Sequence, residues 1–125
     1  MIARDHKDLI VWQKSMDLLV EVYRLVKKLP REETYALSDQ MRRAAVSIPS
    51  NIAEGRARSS EKDYVRFLFM ARGSRAEVET QLMACVRLDY LIESDVDQAL
   101  GLSSEIGSML NAMISKLSLK LKAQS

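Results

Sequence analysis

Met41-Arg42-Arg43-Ala44-Ala45-Val46-Ser47-Ile48-Pro49-Ser50-Asn51-Ile52-Ala53-Glu54-Gly55 is the stretch whose reading decides the fold. Leu37, Met41, Ala45, Ile48, Ile52 and Gly55 recur every three or four residues, so one apolar face continues across Pro49. Proline removes a backbone donor and crowds the carbonyl four residues back, at about 3 kcal/mol in a straight helix. The unbroken face predicts one helix bent near Pro49 rather than two unrelated segments. Ser47 and Ser50 are placed to offer hydroxyls to the freed backbone groups. Gly55 ends or loosens this helix, because glycine takes the left-handed C-terminal conformation readily.

Working outward, the preceding segment predicts a first helix over about Leu9–Leu29. Leu9, Trp12, Met16, Leu19, Tyr23 and Val26 give bundle-seam spacing, and Val11, Leu18, Val22, Leu25 and Leu29 lie beside them. Together they span an arc of about 220°, against the usual ~100° stripe of a surface helix. Either two neighbouring helices or a partner subunit must cover the excess. Pro30 stops this helix, Arg31–Leu37 connects, and Ser38 is the candidate N-cap of the second.

Beyond Gly55, Arg56–Ser59 joins to a third helix over Glu61–Leu91, with Ser60 as its cap and Glu61 and Asp63 in its first turn. Tyr64, Leu68, Ala71, Val78, Leu82 and Cys85 form its apolar stripe, and Arg75 falls in that stripe too. Gly73 and Ser74 suggest close approach of another helix. A turn over Asp89–Ser94 leads to a fourth helix over about Asp95–Leu121, with a core row of Leu102, Ile106, Leu110, Met113 and Leu117. Gly101 and Gly107 weaken it locally. The methionines, Trp12 and Tyr23 are read as core or interface residues. Four long helices with short joints predict an all-α, up-down-up-down antiparallel bundle. One domain over residues 1–125 is expected, flexible over 1–7 and frayed over 122–125.

The 125 residues carry 47% apolar residues and a formal charge of +2, so composition alone argues neither disorder nor a nucleic-acid partner. One cysteine, Cys85, excludes an internal disulfide and a multi-cysteine metal site. The charged N-terminal segment does not resemble a signal peptide, and no apolar run reaches the ~18–20 residues of a membrane span. A cytoplasmic protein without membrane contact is expected. His6 is the only histidine, so histidine-dependent nucleophilic catalysis, zinc sites and the Glu-x-x-His di-iron pattern lack their essential residue. Gly55, Gly73, Gly101 and Gly107 are too scattered for a phosphate loop. No enzyme, cofactor or metal is expected. Glu54, Glu77 and Glu79 read better as structural partners of Arg43, Arg72 or Arg75 than as an acid–base pair.

Charge is segregated along the chain. Arg42, Arg43, Arg56, Arg58, Lys62, Arg66, Arg72 and Arg75 face only Glu54, Glu61 and Asp63, which leaves that stretch at +5 and the remainder at −3. Arg56, Arg58, Lys62 and Arg66 gather at the joint between helices two and three, with Tyr64 and Phe67 as the accompanying aromatics. This end is either a surface for nucleic-acid backbone or a solvated basic end.

Gln40–Gly55, Ala71–Leu82, Asp8–Lys14 and the Leu29-Pro30 break resemble the 23S rRNA intervening-sequence protein family, also called the four helix bundle protein family, over about residues 8–119. The resemblance implies the bundle, with Asn51 and Glu54 facing Ser74 and Glu77 as a polar layer. It extends to the accessory variability determinant of diversity-generating retroelements. It thereby implies a homo-oligomer, a pentamer, with RNA or DNA and a reverse transcriptase as partners. The expectation is a non-catalytic bundle binding nucleic acid at the helix two–three joint. The alternative is a scaffold binding a protein partner through helix one, with structural arginines.

Overall fold

Apolar residues at three- and four-residue spacing produce four helices, which a computed structural model describes over residues 5–124. They are α1 (Ile10–Val26), α2 (Leu37–Ala57), α3 (Glu61–Arg87) and α4 (Glu93–Gln124). Single 3-10 turns occupy His6–Asp8 and Arg31–Glu33. The described residues contain no strand. Each helix packs on two neighbours, in the ring order α1–α2–α3–α4. Cross-links fix the antiparallel sense. Met41 at the start of α2 meets Cys85 near the end of α3, and Glu61 at the start of α3 meets Lys120 near the end of α4. Lys28, after α1, meets Asp95 at the start of α4.

The core is shared by all four helices. Leu18, Val22, Leu25, Ala45, Ile48, Ile52, Leu68, Leu82, Ile106 and Leu110 are fully buried. The wide apolar arc of α1 is mostly covered by α2 and α4, with Tyr23 its exposed remainder, and Ile10 and Val20, not counted in that arc, are exposed beside it. The methionines divide. Met41 is buried, Met16, Met109 and Met113 are half-buried, and Met70 and Met83 are exposed rather than core filler.

Helix two runs unbroken through Pro49. The Ser47 hydroxyl does not serve the backbone freed by the proline. It lies 2.8 Å from the Ser74 hydroxyl and accepts from Asn51 Nδ2 at 2.9 Å. Two further assignments change. Ser38 is buried inside α2, which begins at Leu37 without a side-chain cap. Gly55 is not a stop either, because α2 continues to Ala57. Its absent side chain lets Phe67 and Tyr64 of α3 come against the α2 backbone.

Ser60 caps α3 as expected, accepting from Asp63 N at 3.1 Å. Helix three ends at Arg87, short of Leu91, because Asp89 turns to φ 61°. Tyr90 N and Asp89 N then bond back to Cys85 O and Val86 O, closing the terminal carbonyls. At the start of α4, Asp95 Oδ2 accepts from Ile92 N at 3.0 Å, the principal cause that holds its carboxyl below the usual range.

The 1–7 segment falls partly outside the described residues. Within them, Asp5 caps the 3-10 turn and His6 sits edge-on to Trp12 with ring centroids 5.2 Å apart. Helix four continues through Gln124, and Ser125 lies outside the described residues. No helix among the described residues is long and apolar enough to cross a membrane.

Cys85 is fully buried, and its Sγ donates to Met41 Sδ at 3.6 Å. Burial pushes its thiol up to about 11. A folded pKa above the unfolded value favours the protonated thiol in the fold. Its contribution is therefore intact below the ordinary thiol range and is lost as pH rises through about 11. An aromatic disulfide reagent at mildly alkaline pH should label Cys85 only as fast as the chain opens, and at once in denaturant. Prompt labelling of the folded protein would contradict this burial.

Candidate nucleic-acid interface

The three residues between α2 and α3 bring the end of one helix beside the start of the next. Arg56 and Arg58 come from α2 and its cap, and Lys62 and Arg66 from the first two turns of α3. Tyr64 and Phe67 are only 8% exposed and form the floor beneath them. The Arg58 and Arg66 guanidinium carbons lie 5.0 and 4.6 Å from the Phe67 ring centroid, and that of Arg56 lies 5.9 Å from Tyr64. The aromatics therefore hold the arginines in place electrostatically and are themselves out of reach of a nucleic-acid base. Burial pushes the Tyr64 phenol above its ordinary value, against the opposing pull of Arg56.

The carboxylates nearby are spent locally. Glu54 pairs with Arg58 at 2.5 Å, and Asp63 lies 3.8 Å from Arg66, both on exposed helix surface. Such pairs contribute about 0–1 kcal/mol, so a phosphate can replace the carboxylate at small cost. Lys62 makes no ion pair among the described residues.

Four of the eight candidate cations stand elsewhere. Arg42 and Arg43 lie some 24 Å from Arg58 along α2, at 1.5 Å per residue, and so near its other end. Arg42 Nη2 donates to Thr34 O at 3.2 Å, pinning the Arg31–Glu33 turn, and Arg43 pairs with Asp39 at 3.1 Å. Arg72 reaches α4, donating to Asn111 Oδ1 at 3.1 Å. Arg75 is not a surface cation at all. Its side chain is 18% exposed, and Nη1 donates to Glu79 Oε2 at 2.9 Å and Ser103 Oγ at 3.1 Å. It lies across Gly107 of α4, so that glycine serves as a bed for a guanidinium.

The expected polar layer is only partly assembled. Asn51 and Ser74 meet through Ser47, a residue outside the expected set. Glu54 turns outward to Arg58, and Glu77 is exposed at the rim of an open groove with Gln40, Arg43, Ser47 and Ser74. Of the proposed carboxylate–arginine partnerships, Glu79 with Arg75 is the one that forms.

Two contributors escaped the sequence reading. The lysines of α4's last turns, Lys116, Lys120 and Lys122, return to the same pole because α4 runs antiparallel to α3, and Lys120 touches Glu61 at 2.6 Å. The signal was available in the topology, not in the spacing. Phe69 is the other. It is 44% exposed, with the Arg72 guanidinium 4.6 Å from its ring centroid. Among the described residues no group of three or more His, Cys, Asp or Glu is placed to hold a metal.

Comparisons with known proteins bear on this geometry. The family model described as 23S rRNA-intervening sequence protein matches residues 7–112. Among solved structures, the chain is similar to a protein of unknown function from the S23 ribosomal protein family of Bacteroides thetaiotaomicron VPI-5482. The identity is 28%, covering 84% of this chain and 98% of that one, with a TM-score of 0.78. No curated protein matches. Neither match concerns a retroelement.

Proposed function

Because the chain belongs to the 23S rRNA-intervening sequence protein family, we propose that it is a non-catalytic, homo-oligomeric bundle that binds RNA or other nucleic acid at the α2–α3 pole. The observation that carries this reading is the stacking of Arg56, Arg58 and Arg66 on buried Tyr64 and Phe67. A guanidinium lying over a ring points its donors outward from the ring's edge, and a phosphate can take the place of the exposed carboxylates that Arg58 and Arg66 now meet. The lysines of α4 add positive potential at the same pole.

The homo-oligomer is supported by apolar surface left on the outer faces, with Val20 at 64% and Met83 at 50% exposure. A pentamer rests on the family resemblance, and light scattering measures it directly. A reverse transcriptase partner rests on the resemblance alone. The scaffold reading through α1 keeps less support, since α2 and α4 cover most of that helix's apolar arc.

Salt decides between them. Single-stranded affinity falls with ionic strength at a slope of about 0.7 per neutralised phosphate. Changing Arg56, Arg58, Lys62 and Arg66 together to Ala should lower that slope by about 3. The variant should stay folded with a melting temperature lower by a few degrees, since Arg56, Arg58 and Arg66 lie over Tyr64 and Phe67 and each such contact is worth about 0.5–1 kcal/mol. Wild-type protein that binds no RNA or DNA at low salt would end this reading.

A further inference from the structure

The structure assigns Phe69 as a stacking platform for an unpaired base, so that this pole binds single-stranded nucleic acid more tightly than duplex. The inference rests on the proposed function and adds which form of nucleic acid the surface takes. An α-helix advances about 100° per residue, which puts Lys62, Arg66 and Phe69 within about 60° of one another on the outer side of α3. They span about 10 Å along the axis. Two cations therefore lead along the helix to an aromatic ring in one line.

The three aromatics of this region divide the work. Tyr64 and Phe67 are buried under arginines and carry no free face. Phe69 is turned outward, and one side of its ring is met by the Arg72 guanidinium. Arg72 is itself tethered across the α3–α4 groove to Asn111 Oδ1. The ring is thus fixed in orientation by a cation that is anchored elsewhere, and 44% of the residue's surface stays open to solvent.

Every base presents a π-face, so a ring beside phosphate-binding cations favours single strands without demanding a sequence. A duplex keeps its base faces inside the stack and offers this ring nothing. A second copy of the chain is the poorer occupant. A copy seated on Phe69 would have to meet Lys62, Arg66 and Arg72 together, a cluster whose neighbouring carboxylate, Asp63, is already beside Arg66.

The test uses the full chain, with a labelled mixed-sequence single strand and a duplex of the same length, titrated at low salt. Phe69→Ala should weaken single-strand binding about tenfold. Duplex binding and the salt slope should stay as in wild type, because no phosphate contact is lost. Phe69→Trp should retain affinity and show indole quenching on single-strand binding, above the Trp12 background. Phe69→Ala binding the single strand as tightly as wild type, while the quadruple cation variant has lost binding, would overturn the stacking role and leave the proposed function standing. Equal loss on both ligands, accompanied by dissociation in light scattering, would make Phe69 a subunit contact and would also overturn it.

Discussion

Gly55→Ala should lower the melting temperature by roughly 4–12 °C, where the same exchange at Gly101 should raise it by a few degrees. In an exposed helix interior, glycine to alanine gains about 1 kcal/mol, because alanine has less backbone freedom to lose. Gly101 meets that condition: it is exposed and a Cβ there has nothing within 4 Å. Gly55 does not. A Cβ there would lie 2.7 Å from Phe67 Cβ, 3.0 Å from Tyr64 Cδ1 and 3.3 Å from Tyr64 O. Two of these neighbours sit on or next to the α3 backbone, so relief requires the helices to move apart. Overpacking of this kind costs about 1–3 kcal/mol, and each kcal/mol is worth about 4 °C in a chain of this size. Since Tyr64 and Phe67 are also the floor under Arg56, Arg58 and Arg66, nucleic-acid affinity should fall with stability. Thermal melts of the two alanine variants are the check. A rise at both positions would contradict the close approach of α2 to α3.

Arg75→Ala should destabilise the bundle by about 2 kcal/mol and leave the affinity of the folded protein for RNA unchanged. The substitution removes two hydrogen bonds, leaves Ser103 Oγ unbonded in a fully buried position, and empties the space over Gly107. Glu79, at 43% exposure, is rehydrated and limits the loss. Arg66→Ala should do the reverse. Its side chain is 59% exposed and its nearest carboxylate is 3.8 Å away, so the melt should barely move while the salt slope of single-strand binding falls by about 0.7. Denaturant melts beside binding titrations separate the two arginines. Loss of affinity in Arg75→Ala with an unchanged melt would return that residue to the surface set.

The architecture was legible because helical periodicity is written in Leu18, Val22 and Leu25, in Met41, Ala45, Ile48 and Ile52, and in Leu102, Ile106 and Leu110. Such spacing survives any loop conformation. Ser60 was legible as a cap because an acidic first turn follows it directly. Ser38 offered the same residue type, with Asp39 directly after it, yet the helix starts one residue earlier and packing buries Ser38. Gly55 was misread because a glycine that admits a neighbour and a glycine that ends a helix look alike in sequence. Arg75 lay on the apolar stripe of α3, so its burial was written in its position, but its charge drew it into the candidate site. Phe69 carried no signal of its own. Only the packing that hides Tyr64 and Phe67, five and two positions before it, makes it the exposed ring. The lysines of α4 join the basic pole through antiparallel return, which a linear count of charge leaves in the other half of the chain.

The joint between α2 and α3 has a thermodynamic consequence. It is three residues long, its first residue is clasped to Phe67 and its last caps the following helix. Under the proposed function, the cationic groups at this pole surrender little conformational entropy when a ligand arrives, because the joint that carries them is already ordered. A longer, slacker link would weaken association without deleting a single contact to the nucleic acid.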